Sequence, residues 1–476
     1  MAEAETPASA AAGTETPARH RLSVGTKLAF GAGDTGPAIL GAINGFFLLD
    51  FLVNVAHLPP SGLFSAATVF LLVKLWDGVN DPIMGWLSDK TRSRMGRRRP
   101  WLLFGALPLG IAFFLDWIVP PLGETGRFVY FLIIALILDT ALTAVLVPYT
   151  ALTAELTPDY HERTSVNSFR FSFSILGSVV ALFVHTQIIA ALADNPYLGY
   201  AVSAGIWTVA IIVPCFIVFF GTKDHDAPLT AADTGGPGFI EGFQIAFRNR
   251  AFLLVSVIYM SSWLTIQLVQ SNLIFFVRDW VHMDVGLFGY VLIALQLSAF
   301  VCLLGWTRLS ERLGKKKVYY LGGTIFVLVE LGLFLVQPGQ GALVFALALI
   351  AGAGLSVAYL VPWSMLPDVI ELDELETGQR REGIFYGVFV FLQKLGLAVG
   401  MFLSGQVLGL NGYIRAVPGE PPPIQPESAL TAIRVLVGPV GAAILLLSFV
   451  AVYLYPITQA RHAEIQAQLA ARHAKG

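Results

Sequence analysis

The chain has 476 residues, of which 55% are hydrophobic and only 13% charged. Soluble domains carry about 25% charged residues, so this composition, with a mean hydropathy of +0.69, excludes a soluble globular protein and implies a polytopic membrane protein. A net charge of −2 offers nothing to a polyanion such as nucleic acid.

Residues 1–23, rich in Ala, Thr, Glu and Pro and lacking an apolar core, read as a disordered cytoplasmic tail and not as a signal peptide. A spanning helix needs ~20 apolar residues. Twelve runs meet that need, near 27–53, 62–88, 101–120, 128–156, 165–193, 198–221, 251–277, 286–307, 318–336, 341–366, 384–410 and 431–456. Cys215 and Cys302 both fall in apolar runs, so neither a disulfide framework nor a thiolate metal site is expected.

In the first run, Gly31, Gly33, Gly36 and Pro37 surround Asp34, a composition that predicts bending and close packing. The second run holds Asp77 and Asp81 behind a largely apolar stretch. Their spacing of four places both carboxylates on one helix face. An ionisable group at membrane depth costs roughly 2.5 kcal/mol or more and faces a cavity or a partner. Two such acids together require a cation. A hard cation wants several oxygens, and the alternative is one proton shared between like charges. A hard cation such as Na⁺, with Asp77 and Asp81 as its metal ligands, or a shared H⁺ meets that need, and no other cofactor is expected.

The second run ends in Gly85, Ser88 and Asp89, followed by a basic loop that includes Arg97, Arg98 and Arg99. Further on, Arg170 in the fifth run and Lys394 in the eleventh are isolated cations, the natural counter-charges of inward-facing aspartates. Gln267, Gln270, Asn272 and Gln393 add polar lining, which more often serves bonds between helices. The acidic run Asp368, Glu371, Asp373, Glu374 and Glu376, with Arg380 and Arg381, reads as a solvated loop after the tenth span.

Lys and Arg concentrate in alternate loops, which places both termini and those loops in the cytoplasm and requires an even number of spans. The polar stretch 222–247 divides the spans six and six, giving bundles at 24–221 and 248–456 and a cytoplasmic tail at 457–476. The halves echo one another. Gly85-Trp86, Ser88-Asp89 and Gly96 to Arg99 correspond to Gly305-Trp306, Ser310-Glu311 and Gly314 to Lys317. Likewise Leu146 to Leu152 corresponds to Leu360 to Leu366, in matching order. Parallel six-helix repeats with a mid-membrane site between them make the major facilitator fold.

At these residues the chain resembles the glycoside–pentoside–hexuronide:cation symporter family. The resemblance rests on Trp76-Asp77, Asn80-Asp81-Pro82 and Gly85, with the loop from Ser88 to Arg97 behind them. It implies that Asp77 and Asp81 bind the coupling cation. It further implies that Gly85, Asp89, Arg97 and Arg98 belong to a cytoplasmic gate, and that Asp34, Arg170 and Lys394 contact solute or the cation site. The melibiose-permease branch places an acid two residues before the proline of the fourth span and a tryptophan two residues after it. Leu146 and Thr150 stand there instead, and Tyr359 replaces a tryptophan in the tenth span. The runs 147–153 and 361–369 instead resemble the lysophospholipid-transporting branch of the same superfamily.

The sequence thus predicts a monomeric, multi-pass cell-membrane symporter working by alternating access. Its solute is a sugar or glycoside, or alternatively a lysophospholipid-like amphiphile, with Thr150 and Tyr359 added to the solute contacts. An enzyme is not expected, since His57, His161, His185, His225 and His282 are scattered without metal-ligand spacing. A scaffold has no use for paired intramembrane acids, and no phosphate-binding P-loop suggests nucleotide-driven pumping.

Overall fold

The computed structural model describes residues 22–157, 160–223, 239–379, 381–417, 420 and 423–473. Arg380, His225 and most of the tail before residue 24 lie outside these residues. Within them the chain is helical throughout. Helix α1 spans 24–55 in four consecutive pieces, Val24–Ala32, Thr35–Ile43 and the π-helical turns Asn44–Leu48 and Phe51–Val55. The other helices of the first half are α2 (Ala66–Lys90), α3 (Arg99–Asp116), α4 (Glu124–Leu156), α5 (Tyr160–Ala191) and α6 (Pro196–Gly221). In the second half, α7 (Arg250–Phe275) runs into a π turn at Phe276–Trp280. It is followed by α8 (Val285–Leu313), α9 (Lys315–Leu335), α10 (Gly341–Thr377) and α11 (Glu382–Leu410). Helix α12 comprises Glu427–Val437 and Pro439–Leu454, broken at Gly438.

Ten of these helices are long and apolar enough to cross a membrane on composition alone. The two that are not, α1 and α2, depart for physical reasons. Helix α1 is interrupted beside Gly33, where an added Cβ would lie 2.5 Å from the Tyr149 ring of α4. Helix α2 carries Lys74, Asp77, Asp81, Asp89 and Lys90 within its 25 residues. Its start is fixed by Ser65, whose hydroxyl accepts from the Thr68 N–H. Twelve spans in two halves match the expected architecture.

The halves meet along α1/α7, α2/α11 and α5/α8, equivalent pairs under the repeat. Polar bonds cross between them at the face opposite the basic loops. There Arg278 donates to Asp50 at 2.8 Å, Asn54 to the Tyr413 hydroxyl at 3.1 Å and Gln187 to the Gly286 carbonyl at 2.8 Å. Gly409 lets α11 pass so close to the α1–α2 loop that a Cβ there would overlap Ser61. At the basic face, the described ion pairs Lys27–Glu162, Arg98–Glu155 and Lys315–Asp368 each lie within one half.

Two loop expectations are corrected. The acidic run after the tenth span is the last part of α10, continuing to Thr377 despite Pro362 and Pro367. Its acids find partners: Asp368 pairs with the distant Lys315 at 2.7 Å, Glu371 with the distant His462 at 2.9 Å and Asp373 with the nearby Arg381 at 2.8 Å. The expected 222–247 loop contains most of an amphipathic helix, Phe239–Arg248. Phe243 on it packs edge-on against Phe391 of α11 at 5.2 Å.

Candidate functional site

Between α2, α4 and α11 lie five charged side chains. Asp77 is buried to 2% exposure, and both of its oxygens are engaged. Lys394 of α11 donates to Asp77 Oδ1 at 2.8 Å and to Asp81 Oδ2 at 2.5 Å. Lys74, one turn before Asp77, donates to Asp77 Oδ2 at 3.0 Å and to Asp139 Oδ1 of α4 at 3.0 Å. The Thr143 hydroxyl, one turn beyond Asp139, donates to Asp81 Oδ1 at 3.2 Å. The i, i+4 spacing in both helices creates this matching, with Asp77/Asp81 on α2 facing Asp139/Thr143 on α4. The Lys394 ammonium stands between two carboxylates, the place a monovalent cation bound by Asp77 and Asp81 would take. The oxygens of Asp77, Asp81 and Thr143 are hard donors that suit Na⁺, and the carboxylates also suit H⁺.

A second ion pair joins Asp34 of α1 to Arg170 of α5, at 3.0 Å. The Arg170 guanidinium lies over the Tyr149 ring, 4.9 Å from its centroid. Tyr149 is held in turn by its hydroxyl, which donates to the Phe30 carbonyl at 2.7 Å. Arg170 therefore serves Asp34 and not the α2 aspartates, contrary to the expectation that both isolated cations would face them. Thr150 is exposed, its hydroxyl bonded to the Val147 carbonyl. Tyr359 of α10 stacks edge-on against Trp263 of α7 at 4.9 Å.

The expected gate residues form a network inside the first half. Arg98 donates to Asp89 at 2.8 Å, to Ser88 at 3.0 Å and to Glu155 at 2.7 Å, and Arg97 also reaches Glu155. Asp89 remains 46% exposed. Gly85 makes no close helix crossing here, since an added Cβ would meet only Val147 at 4.0 Å.

Residues 29–459 match the family model described as MFS/sugar transport protein. The chain belongs to the MFS/sugar transport family. Its relatives include the uncharacterized symporter sll1374 of Synechocystis sp., 40% identical over 95% of this chain and 98% of that protein. The sodium-dependent lysophosphatidylcholine symporter 1-A of Danio rerio is 26% identical over 93% of this chain and 87% of its own length. Among solved structures, the nucleoside transporter NupG superposes with a TM-score of 0.63 at 13% identity, covering 90% of this chain and all of that one. That likeness shows the fold, and with the ten apolar spans it makes the chain an integral multi-pass membrane protein of transporter architecture.

Within this transporter family member, sequence reasoning brought Asp77, Asp81 and Lys394 together correctly. It passed over Lys74 and Thr143 and left Asp139 without a role. Lys74 had a signal, a lysine one turn from Asp77 in an apolar helix. Thr143 had none, because a lone hydroxyl in a membrane helix usually bonds its own backbone.

Proposed function

We propose that the chain is a cation-coupled symporter in which Asp77 and Asp81, assisted by Thr143, bind one Na⁺ or H⁺. The observation that carries this reading is the charge balance of the cluster. Asp77, Asp81 and Asp139 against Lys74 and Lys394 leave one negative charge among five groups. That excess negative charge attracts a cation, since uncompensated charge at membrane depth is unfavourable. Lys394 ties α11 of one half to α2 of the other, so a cation displacing its ammonium releases one half from the other. That is the differential affinity by which a bound ion shifts a transporter between states. Both termini and the basic loops face the cytoplasm in this reading, which makes the arrangement sealed at the outer face. The protein acts as a monomer in the cell membrane and has no enzymatic activity.

For the solute, the family description favours a sugar or glycoside. The lysophospholipid-like reading draws on two things: the resemblance to lysophosphatidylcholine symporters along nearly the whole chain, and Leu146 and Thr150. Those residues replace the carboxylate and aromatic platform that hold a glycoside. In either case Asp34 and Arg170 provide the polar grip, through hydroxyls of a sugar or the phosphate of a headgroup. Thr150 and Tyr359 complete the solute contacts. Thermal unfolding of purified protein, with sodium present or replaced by choline, separates these solutes. Sodium-dependent stabilisation by lysophosphatidylcholine and not by mono- or disaccharides selects the amphiphile, and the converse selects the sugar. Stabilisation by neither class rejects both.

A further inference from the structure

We propose that Asp139 is a positioning residue for the cation site: it draws Lys74 off Asp77 when a cation enters. The inference rests on the reading of Asp77 and Asp81 as cation ligands and concerns how that site is vacated. Both oxygens of Asp77 are covered by ammonium groups, Oδ1 by Lys394 and Oδ2 by Lys74. A cation reaches Asp77 only after both move. Lys394 sits on the opposite half, so relative movement of the halves removes it. Lys74 has no such exit. It lies on α2 itself, one turn from Asp77, and travels with it in any rigid motion. It needs a local acceptor.

Asp139 fits that need. Its Oδ1 already holds the Lys74 ammonium at 3.0 Å, equal to the distance from Lys74 to Asp77. Asp139 is buried, at 6% exposure, and its Oδ2 has no hydrogen-bond partner among the described residues. A buried carboxylate oxygen left unpaired is unfavourable, so Asp139 has spare accepting capacity. A small rotation of the Lys74 side chain gives Asp139 the second bond and exposes Asp77 Oδ2. Helix α4 stays in the same half as α2, so this acceptor remains in place whichever way the halves tilt. Without it, Lys74 has only Asp77, and an incoming cation must break a full ion pair in a poorly solvated site.

The test measures cation binding on the full-length purified protein. Sodium chloride is titrated against choline chloride at fixed ionic strength, and pH is titrated separately. Binding is read from tryptophan fluorescence and the thermal midpoint. Asp139→Asn is expected to weaken sodium binding by about tenfold or more, because Lys74 now stays on Asp77. Removing that lysine as well, in K74M/D139N, is expected to restore binding to within about threefold of wild type, since the two sites are coupled through one contact. K74M alone is expected to bind at least as tightly as wild type. For a protein coupled to protons, the same order is expected in the pH titration. A merely structural Asp139 predicts no rescue by K74M. Wild-type binding with an unchanged D139N, a K74M/D139N as weak as D139N, or a K74M weakened by about tenfold overturns the role of Asp139 and leaves the cation site standing. A wild type insensitive to both sodium and pH overturns the cation site itself, and the role of Asp139 with it.

Discussion

Neutralising Asp50 should unlatch the face opposite the basic loops. Asp50 is buried in α1, and its Oδ1 accepts from Arg278 at 2.8 Å and from Asn54 at 2.7 Å. Arg278 and Tyr413, which bonds Asn54, belong to the second half, so this carboxylate holds the two halves together. Removing one partner of a fully buried pair costs about 3–5 kcal/mol. Arg278 keeps Asp279 at 2.7 Å and is 29% exposed, which reduces the loss. About 2 kcal/mol remains in this geometry, equivalent to a shift of ~30-fold between sealed and unsealed states. Spin labels at Leu63 and Ile424, both exposed and on opposite halves at this face, report the change. Asp50→Asn should move the distance distribution toward longer separations while the overall helical content stays unchanged. Distributions identical to those of the unsubstituted protein would refute the role of Asp50 as a latch.

Thr143→Val removes the hydroxyl beside Asp81 while keeping its shape. A lost hydrogen bond of about 1 kcal/mol should weaken cation binding by roughly fivefold, measured by the same sodium titration, and unchanged affinity would take Thr143 out of the site. Gly409→Val places a methyl-bearing carbon against Ser61. It should hold the Leu63–Ile424 pair apart, and an unaltered distance would mean the loop simply yields. For topology, single cysteines placed within residues 1–20 or 225–245 should resist membrane-impermeant maleimide in intact cells, as the loop charges require. Labelling from outside would reverse the orientation.

Much of this was legible in the sequence because membranes make polar residues conspicuous. Asp77 and Asp81 stand out in an apolar helix, and the glycines and proline around Asp34 announced the break in α1. What escaped depended on residues far apart in the chain. The acidic end of α10 looked like solvated loop because two of its partners, Lys315 and His462, lie more than 50 residues away in the chain. Arg170 looked like a counter-charge for the α2 aspartates, since nothing in the sequence shows that α5 faces Asp34 of α1. Lys74 was visible one turn from Asp77, but only the placement of Asp139 across the helix pair shows its second partner.

The central claim is that a cation held by Asp77 and Asp81 drives solute movement. It is tested most directly by uptake of labelled lysophosphatidylcholine and of a labelled glycoside into proteoliposomes under an imposed sodium or proton gradient. The unsubstituted protein should accumulate one of them against its own gradient. Asp77→Asn and Asp81→Asn, correctly inserted, should lose that accumulation. Gradient-driven accumulation retained in both variants would contradict the account.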